Sequence, residues 1–204
     1  MISDSHRFIY VHIPRTGGTS VEIALAACSR SPVAMTAHQC TVLPHKHATA
    51  AELRAIVGAE WERYFRFSVV RNPCARMASD YYFFQQAGPA LYPEFSPRER
   101  ALTDAALRLD FNQWLREGAE VLNLCQLDYL TDERGVVIVD HVCRLETLAD
   151  DFARVCRRLG VTAALPRLNT VRRPPTAEVY DDQSVRLIER WCAADIERFG
   201  YTFE

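Results

Sequence analysis

The residues that could do chemistry gather in three short stretches. The first is Arg15-Thr16-Gly17-Gly18-Thr19-Ser20. Its glycines allow backbone angles that other residues resist. A turn there can aim backbone N–H groups, the Thr19 and Ser20 hydroxyls and the Arg15 guanidinium at one point. Such a point is an anion site, for phosphate or sulfate. The second stretch holds Arg71 and Ser79, a long guanidinium and a hydroxyl able to converge on one oxyanion. The third is histidine-rich, with His38, Cys40, His45 and His47. Imidazole can take a proton near neutral pH, and His45 and His47 are close enough in sequence for either to serve. The spacing His-x-Cys then His-x-His matches no common structural zinc site, so no metal is expected.

These residues need elements to hold them. Residues 8–13, Phe-Ile-Tyr-Val-His-Ile, are aromatic and β-branched and predict a strand, which Pro14 ends because it has no N–H to give. Val21, Ala24, Leu25 and Cys28 fall at helical spacing after the glycines, with Thr19 and Ser20 as candidate caps. Thr49 and Glu52 have the spacing of a capping box and predict a helix over about 50–57. His47 therefore sits in a loop just before a helix start, where side chains often carry function. Residues 64–70 predict a second strand that delivers Arg71, and Asn72-Pro73 opens a helix over 74–86 carrying Ser79.

Further on, three prolines and a glycine in 88–98 predict a loop, 99–109 a helix, and 110–115 the start of another. Val136-Val-Ile-Val139 predicts a strand, and a shorter strand ends near 143–145. Residues 148–159 are amphipathic and stop at Gly160. Residues 165–175 predict a loop containing Arg172 and Arg173, and 184–199 a last helix. Strands and helices alternate, which predicts an α/β fold with a central, mainly parallel sheet flanked by helices.

The bulk numbers narrow the function. The 204 residues suffice for one domain, 1–204, with a sizeable core. A net charge of −2 gives no electrostatic case for nucleic acid or an anionic membrane. No apolar run approaches membrane-spanning length, and the first residues lack a secretory signal pattern. Seven scattered cysteines, without a Cys-x-x-Cys pair, predict reduced thiols and a cytoplasmic setting. No feature sets an oligomeric state.

The glycine turn does not fit the ATP-binding pattern G-x-x-x-x-G-K-[ST]: no glycine heads it and no lysine precedes Thr19 or Ser20. The run Val136-Val-Ile-Val-Asp140 does resemble the apolar strand whose terminal Asp holds magnesium in ATP-using enzymes. A small-molecule kinase is therefore one alternative. A non-catalytic nucleotide-binding protein is another.

Four blocks in order resemble the sulfotransferases that use 3′-phosphoadenosine 5′-phosphosulfate (PAPS), in particular the family of small bacterial enzymes and the heparan-sulfate 2-O and 6-O enzymes. They are His12-Ile-Pro-Arg-Thr-Gly-Gly-Thr-Ser20; Lys46-His-Ala-Thr-Ala-Ala-Glu-Leu53; Phe65-Arg-Phe-Ser-Val-Val-Arg-Asn-Pro73 with Arg76 and Ser79; and a final set. That set runs from Gln126-Leu-Asp-Tyr through Arg144-Leu-Glu146 and Leu165-Pro-Arg-Leu-Asn169 to Asp195-Ile-Glu-Arg-Phe-Gly-Tyr-Thr-Phe203.

The resemblance implies a P-loop-like three-layer fold and transfer of a sulfuryl group to a hydroxyl, leaving adenosine 3′,5′-bisphosphate. It implies that the amides from Thr16 through Gly17, Gly18 and Thr19 to Ser20, with the Thr19 and Ser20 hydroxyls, hold the 5′-phosphosulfate. Arg71 and Ser79 would hold the 3′-phosphate, Arg172 and Arg173 would lie in a loop closing over the cofactor, and His47 would be the catalytic base. Where the family usually has lysine this chain has Arg15, which can stabilise leaving-group charge but cannot give up a proton. Sulfuryl carries less negative charge than phosphoryl, so no metal is needed. The acceptor implied is a sugar or small-metabolite hydroxyl.

Overall fold

The computed structural model of the chain describes residues 1–28, 46–118, 125–166, 168 and 172–203. They divide into two compact units, Met1–Arg71 with Gln126–Asn169, and Asn72–Cys125 with Thr170–Glu204.

The first unit is built on a four-stranded sheet in the order β1 (Ile2–Ser3), β2 (Phe8–Val11), β3 (Phe65–Val70), β4 (His141–Arg144). β1 runs antiparallel to β2, and β2, β3 and β4 are parallel, with Tyr10 opposite Phe67 and Phe67 opposite His141. Every residue of β2 is fully buried, so both faces of that strand are covered, as parallel sheets require. On one face Phe8, Tyr10, Phe67, Val69 and Cys143 alternate inward at period two. They meet Val21 of α1 (Gly18–Ala24) and Leu148, Phe152 and Val155 of the later helix Leu148–Leu159. α2 (Ala50–Val57) packs against β2. Burying each large apolar side chain contributes about 1.5–3 kcal/mol. That layer, rather than the short strands' own propensity, fixes where the chain leaves the sheet.

The second unit is helical. α3 (Pro73–Gln86) is followed by α4 (Gly88–Leu91), α5 (Pro97–Arg108) and α6 (Phe111–Gly118). α7 is the Leu148–Leu159 helix of the first unit, and α8 (Thr176–Val179), α9 (Asp182–Trp191) and α10 (Ala193–Phe199) complete the second. Tyr81 and Phe84 of α3 enter a core with Phe95, Phe111, Trp114 and Ile188. The aromatic run that begins at Tyr81 thus serves packing. The Trp114 indole N–H donates to the Leu102 carbonyl at 3.1 Å, which satisfies its one polar atom.

Several sequence expectations hold closely. α2 has its capping box, Asn72 caps α3 by accepting from Cys74 N at 3.0 Å, and α7 ends at Gly160 in the left-handed region. Others do not. Most of 88–98 is helical rather than a loop, with only Phe95 and Ser96 extended between helices, because the prolines stand in helix first turns and Ser96 with Glu99 forms a second capping box. The last helix breaks at Cys192 into α9 and α10. α1 is capped by the backbone of Gly17 in the left-handed region, and Thr19 and Ser20 lie inside its first turn.

The run 136–139 forms no strand of the sheet. Val137 makes an isolated bridge to Thr131, and the Ile138 N–H donates to the Leu130 carbonyl. The segment closes locally on its own turn, and Val136 is left exposed.

Candidate functional site

The loop 12–17 leaves the carboxyl end of β2, where parallel sheets present their ligand sites. Two residues bend it. Arg15 has φ +62° and Gly17 φ +84°, a left-handed conformation that costs a non-glycine residue free energy. The Thr16 hydroxyl donates to the Ile13 carbonyl at 2.8 Å in a fully buried position, so this side chain shapes the turn from inside. Gly18 is required by close approach. A Cβ there would stand 2.1 Å from His12 Cδ2, 2.2 Å from His12 Nε2 and 2.7 Å from the Tyr10 hydroxyl. Thr19 is half-buried and follows directly, with Ser20 buried beyond it.

Beneath the loop lies a buried charged cluster. His12 Nδ1 is 3.1 Å from Glu22 Oε1, and Lys46 Nζ is 3.4 Å from Glu22 Oε2. These are ion-pair distances, and neither His12 Nδ1 nor Glu22 Oε2 is aligned for a hydrogen bond. Burial pushes the His12 imidazole down from its ordinary value, with Glu22 offsetting only part of that. Burial pushes the Glu22 carboxyl up, but His12 and Lys46 outweigh it and hold the group below its ordinary value. The carboxylate thus sits between the His12 ring and the Lys46 side chain. Lys46 Nζ also donates to Thr19 Oγ1 at 3.4 Å.

His47 follows Lys46 in the chain and is half-buried. Its Nδ1 lies 3.0 Å from the His12 carbonyl oxygen, and the two rings meet edge to face with centroids 4.6 Å apart. A carbonyl can only accept, so Nδ1 carries the proton. In the neutral ring Nε2 is then the basic nitrogen.

Arg71 stands just past the end of β3. Gln126, fully buried, holds its backbone from both sides, accepting from Arg71 N at 2.9 Å and donating to Arg71 O at 2.8 Å. The Arg71 guanidinium donates from Nη1 to the Arg15 carbonyl at 3.1 Å. One unit thus brings together Arg15, Thr16, Gly17, Gly18, Thr19, Ser20, His47 and Arg71. Ser79, Arg172 and Arg173 belong to the other. There Ser79 is a buried residue of α3, the Arg172 carbonyl accepts from Gln86 Nε2 at 2.6 Å, and Arg173 Nη1 donates to Thr176 Oγ1 at 3.0 Å. His38, Cys40 and His45 lie outside the described residues, among which no group of His, Cys, Asp and Glu is arranged to hold a metal.

Asp140, the carboxylate a kinase would turn toward magnesium, is spent elsewhere. It accepts from the Arg66 guanidinium at 2.6 and 2.8 Å and from the Arg66 N–H at 2.8 Å. It also precedes β4, at the amino end of the parallel strands, opposite the loop.

The model of the Sulfotransferase family matches residues 1–202. The chain belongs to the sulfotransferase family. The match bears out the resemblance carried by the four sequence blocks, and with the mostly parallel sheet it bears out the α/β fold class, for which the family suggests a P-loop-like fold. Sulfotransferases move a sulfuryl group where kinases move a phosphoryl group, so membership of this family counts against the kinase alternative. No curated protein and no solved structure matches the chain significantly. For this sulfotransferase the sequence missed His12, Glu22, Lys46 and Gln126 as site residues. His12, Lys46 and Gln126 do stand inside the matching blocks, but their roles depend on burial.

Proposed function

We propose that the chain is a PAPS-dependent O-sulfotransferase in which His47 is the general base. The observation that carries this reading is the His47 Nδ1–H donated to the His12 carbonyl at 3.0 Å. It sets the tautomer a base needs and stands on the strand end that carries the anion-binding turn. The turn suits a sulfate donor: it follows the carboxyl end of β2, opens a helix at Gly18, and carries the half-buried Thr19 in that helix's first turn.

In this reading the amides of Thr16 to Ser20 and the hydroxyls of Thr19 and Ser20 hold the 5′-phosphosulfate, and Arg71 with Ser79 holds the 3′-phosphate. Arg172 and Arg173 close over the nucleotide. PAPS supplies the sulfuryl group. His47 Nε2 takes the acceptor hydroxyl's proton, for about 10²–10⁴-fold in rate. Arg15 stabilises the charge that grows on the leaving 5′-phosphate and transfers no proton. No metal is required.

The family match spans both units, residues 1–202, which supports one sulfotransferase domain. With a net charge of −2 and no basic stripe in the sequence, the acceptor is a sugar or small-metabolite hydroxyl rather than a long polyanion. Seven scattered cysteines without a Cys-x-x-Cys pair support a cytoplasmic setting.

The test is a transfer assay with labelled PAPS, a panel of sugars and small alcohols, and chelator in the buffer. Transfer without magnesium is expected. Transfer from ATP with magnesium, and none from PAPS, would overturn the reading.

A further inference from the structure

Lys46 and Glu22 have no part in that chemistry as written, yet both are buried, at 5% exposure each. Burying an ammonium and a carboxylate costs free energy that their mutual attraction only partly returns. An apolar pair would fill the same space at less cost. The arrangement makes sense if the charge is needed where it points. Lys46 Nζ has only hydrogens to give, and it gives one to Thr19 Oγ1 at 3.4 Å. The Thr19 hydroxyl hydrogen therefore faces away from Lys46, toward another acceptor. Accepting from a cation also makes that hydroxyl a stronger donor.

The cluster reaches the base as well. Glu22 lies between His12 and Lys46; Lys46 is bonded in the chain to His47; and His47 donates back to the His12 carbonyl. The four residues form a closed ring with the Thr19 hydroxyl on its edge.

We propose that Lys46, held by Glu22, is a positioning residue that commits the Thr19 hydroxyl to donate to the bound 5′-phosphate or phosphosulfate and ties that loop to His47. This rests on the PAPS reading of the loop. The test is a double-mutant cycle read by calorimetric titration with adenosine 3′,5′-bisphosphate. Glu22→Gln/Lys46→Met removes both charges together, so neither is left buried alone. In a Thr19 background it is expected to weaken binding about tenfold, the worth of one hydrogen bond to a charged group. In a Thr19→Val background, with no hydroxyl to position, it is expected to cost less than about twofold. Thr19→Ser, which keeps the hydroxyl, should retain the full sensitivity. If the neutral pair does not fold, Lys46→Arg keeps the charge beside Glu22 while moving the donor, and the same non-additivity is expected. Losses that multiply, with equal factors in both backgrounds, mean a merely structural Lys46 and overturn the proposal while leaving the PAPS reading intact. A wild-type chain that does not bind the bisphosphate overturns both.

Discussion

His47→Ala is expected to slow sulfuryl transfer by about 10²–10⁴-fold, with affinity for adenosine 3′,5′-bisphosphate kept within about twofold. The split follows from position. The His47 ring is half-buried and contacts the His12 carbonyl and ring, while the loop amides and Arg71 that would hold the nucleotide are anchored by Ile13, Arg15 and Gln126. Removing the imidazole removes a proton acceptor and one edge-to-face contact. It leaves the turn's own hydrogen bonds in place. His47→Asn refines the test, because an amide N–H can still donate to the His12 carbonyl without offering a basic nitrogen. It should bind as wild type and be as slow as alanine. A His47→Ala variant that binds the bisphosphate and transfers at the wild-type rate would dismiss His47 as base and leave His45 as the next histidine to test.

Gly18→Ala is expected to cost about 1–3 kcal/mol of stability and to weaken bisphosphate binding more than tenfold. The added methyl would stand 2.1–2.2 Å from the His12 ring and 2.7 Å from the Tyr10 hydroxyl. Neither neighbour can yield easily. Tyr10 is fully buried in β2 with its ring centroid 5.0 Å from that of Phe67, and His12 is pinned against Glu22. What moves instead is the loop, and with it the amides that in this reading hold the anion. Gly160→Ala is the control. Gly160 also has a positive φ, +66°, but nothing lies within 4 Å of its Cβ position. It should lose about 1–2 kcal/mol to backbone strain alone and bind unchanged. Thermal melts and titrations on the two variants separate strain from site damage. Wild-type binding by Gly18→Ala would mean that the turn is not where the phosphosulfate sits.

Much of the fold is legible in the sequence because its signals are local. Thr49 with Glu52, Asn72-Pro73 and Gly160 each carry their own hydrogen-bonding logic, and α2, α3 and α7 begin or end where those residues put them. The errors come where tertiary pairing decides. Val136-Val-Ile-Val139 has a strand's composition, but β4 takes the place beside β3 and leaves that run to fold on Leu130 and Thr131. The prolines of 88–98 read as breakers, though each starts a helical turn. β1 is too short at Ile2–Ser3 to give a pattern.

The site divides the same way. The glycine turn, Arg71 and His47 stand in motifs. Gln126 grips Arg71 across 55 residues, and Lys46 meets Thr19 across 27, so their roles exist only once the chain is folded. A single lysine or glutamine in a sequence is most often solvated, and nothing local marks these two as buried.

Calorimetric titration of the chain with adenosine 3′,5′-bisphosphate, against ATP with magnesium, tests the central claim most directly, because it needs no acceptor. Binding of the bisphosphate well ahead of ATP, and lost in Arg71→Ala, is the result this account predicts. Binding of ATP alone, or bisphosphate binding indifferent to Arg71, would contradict it.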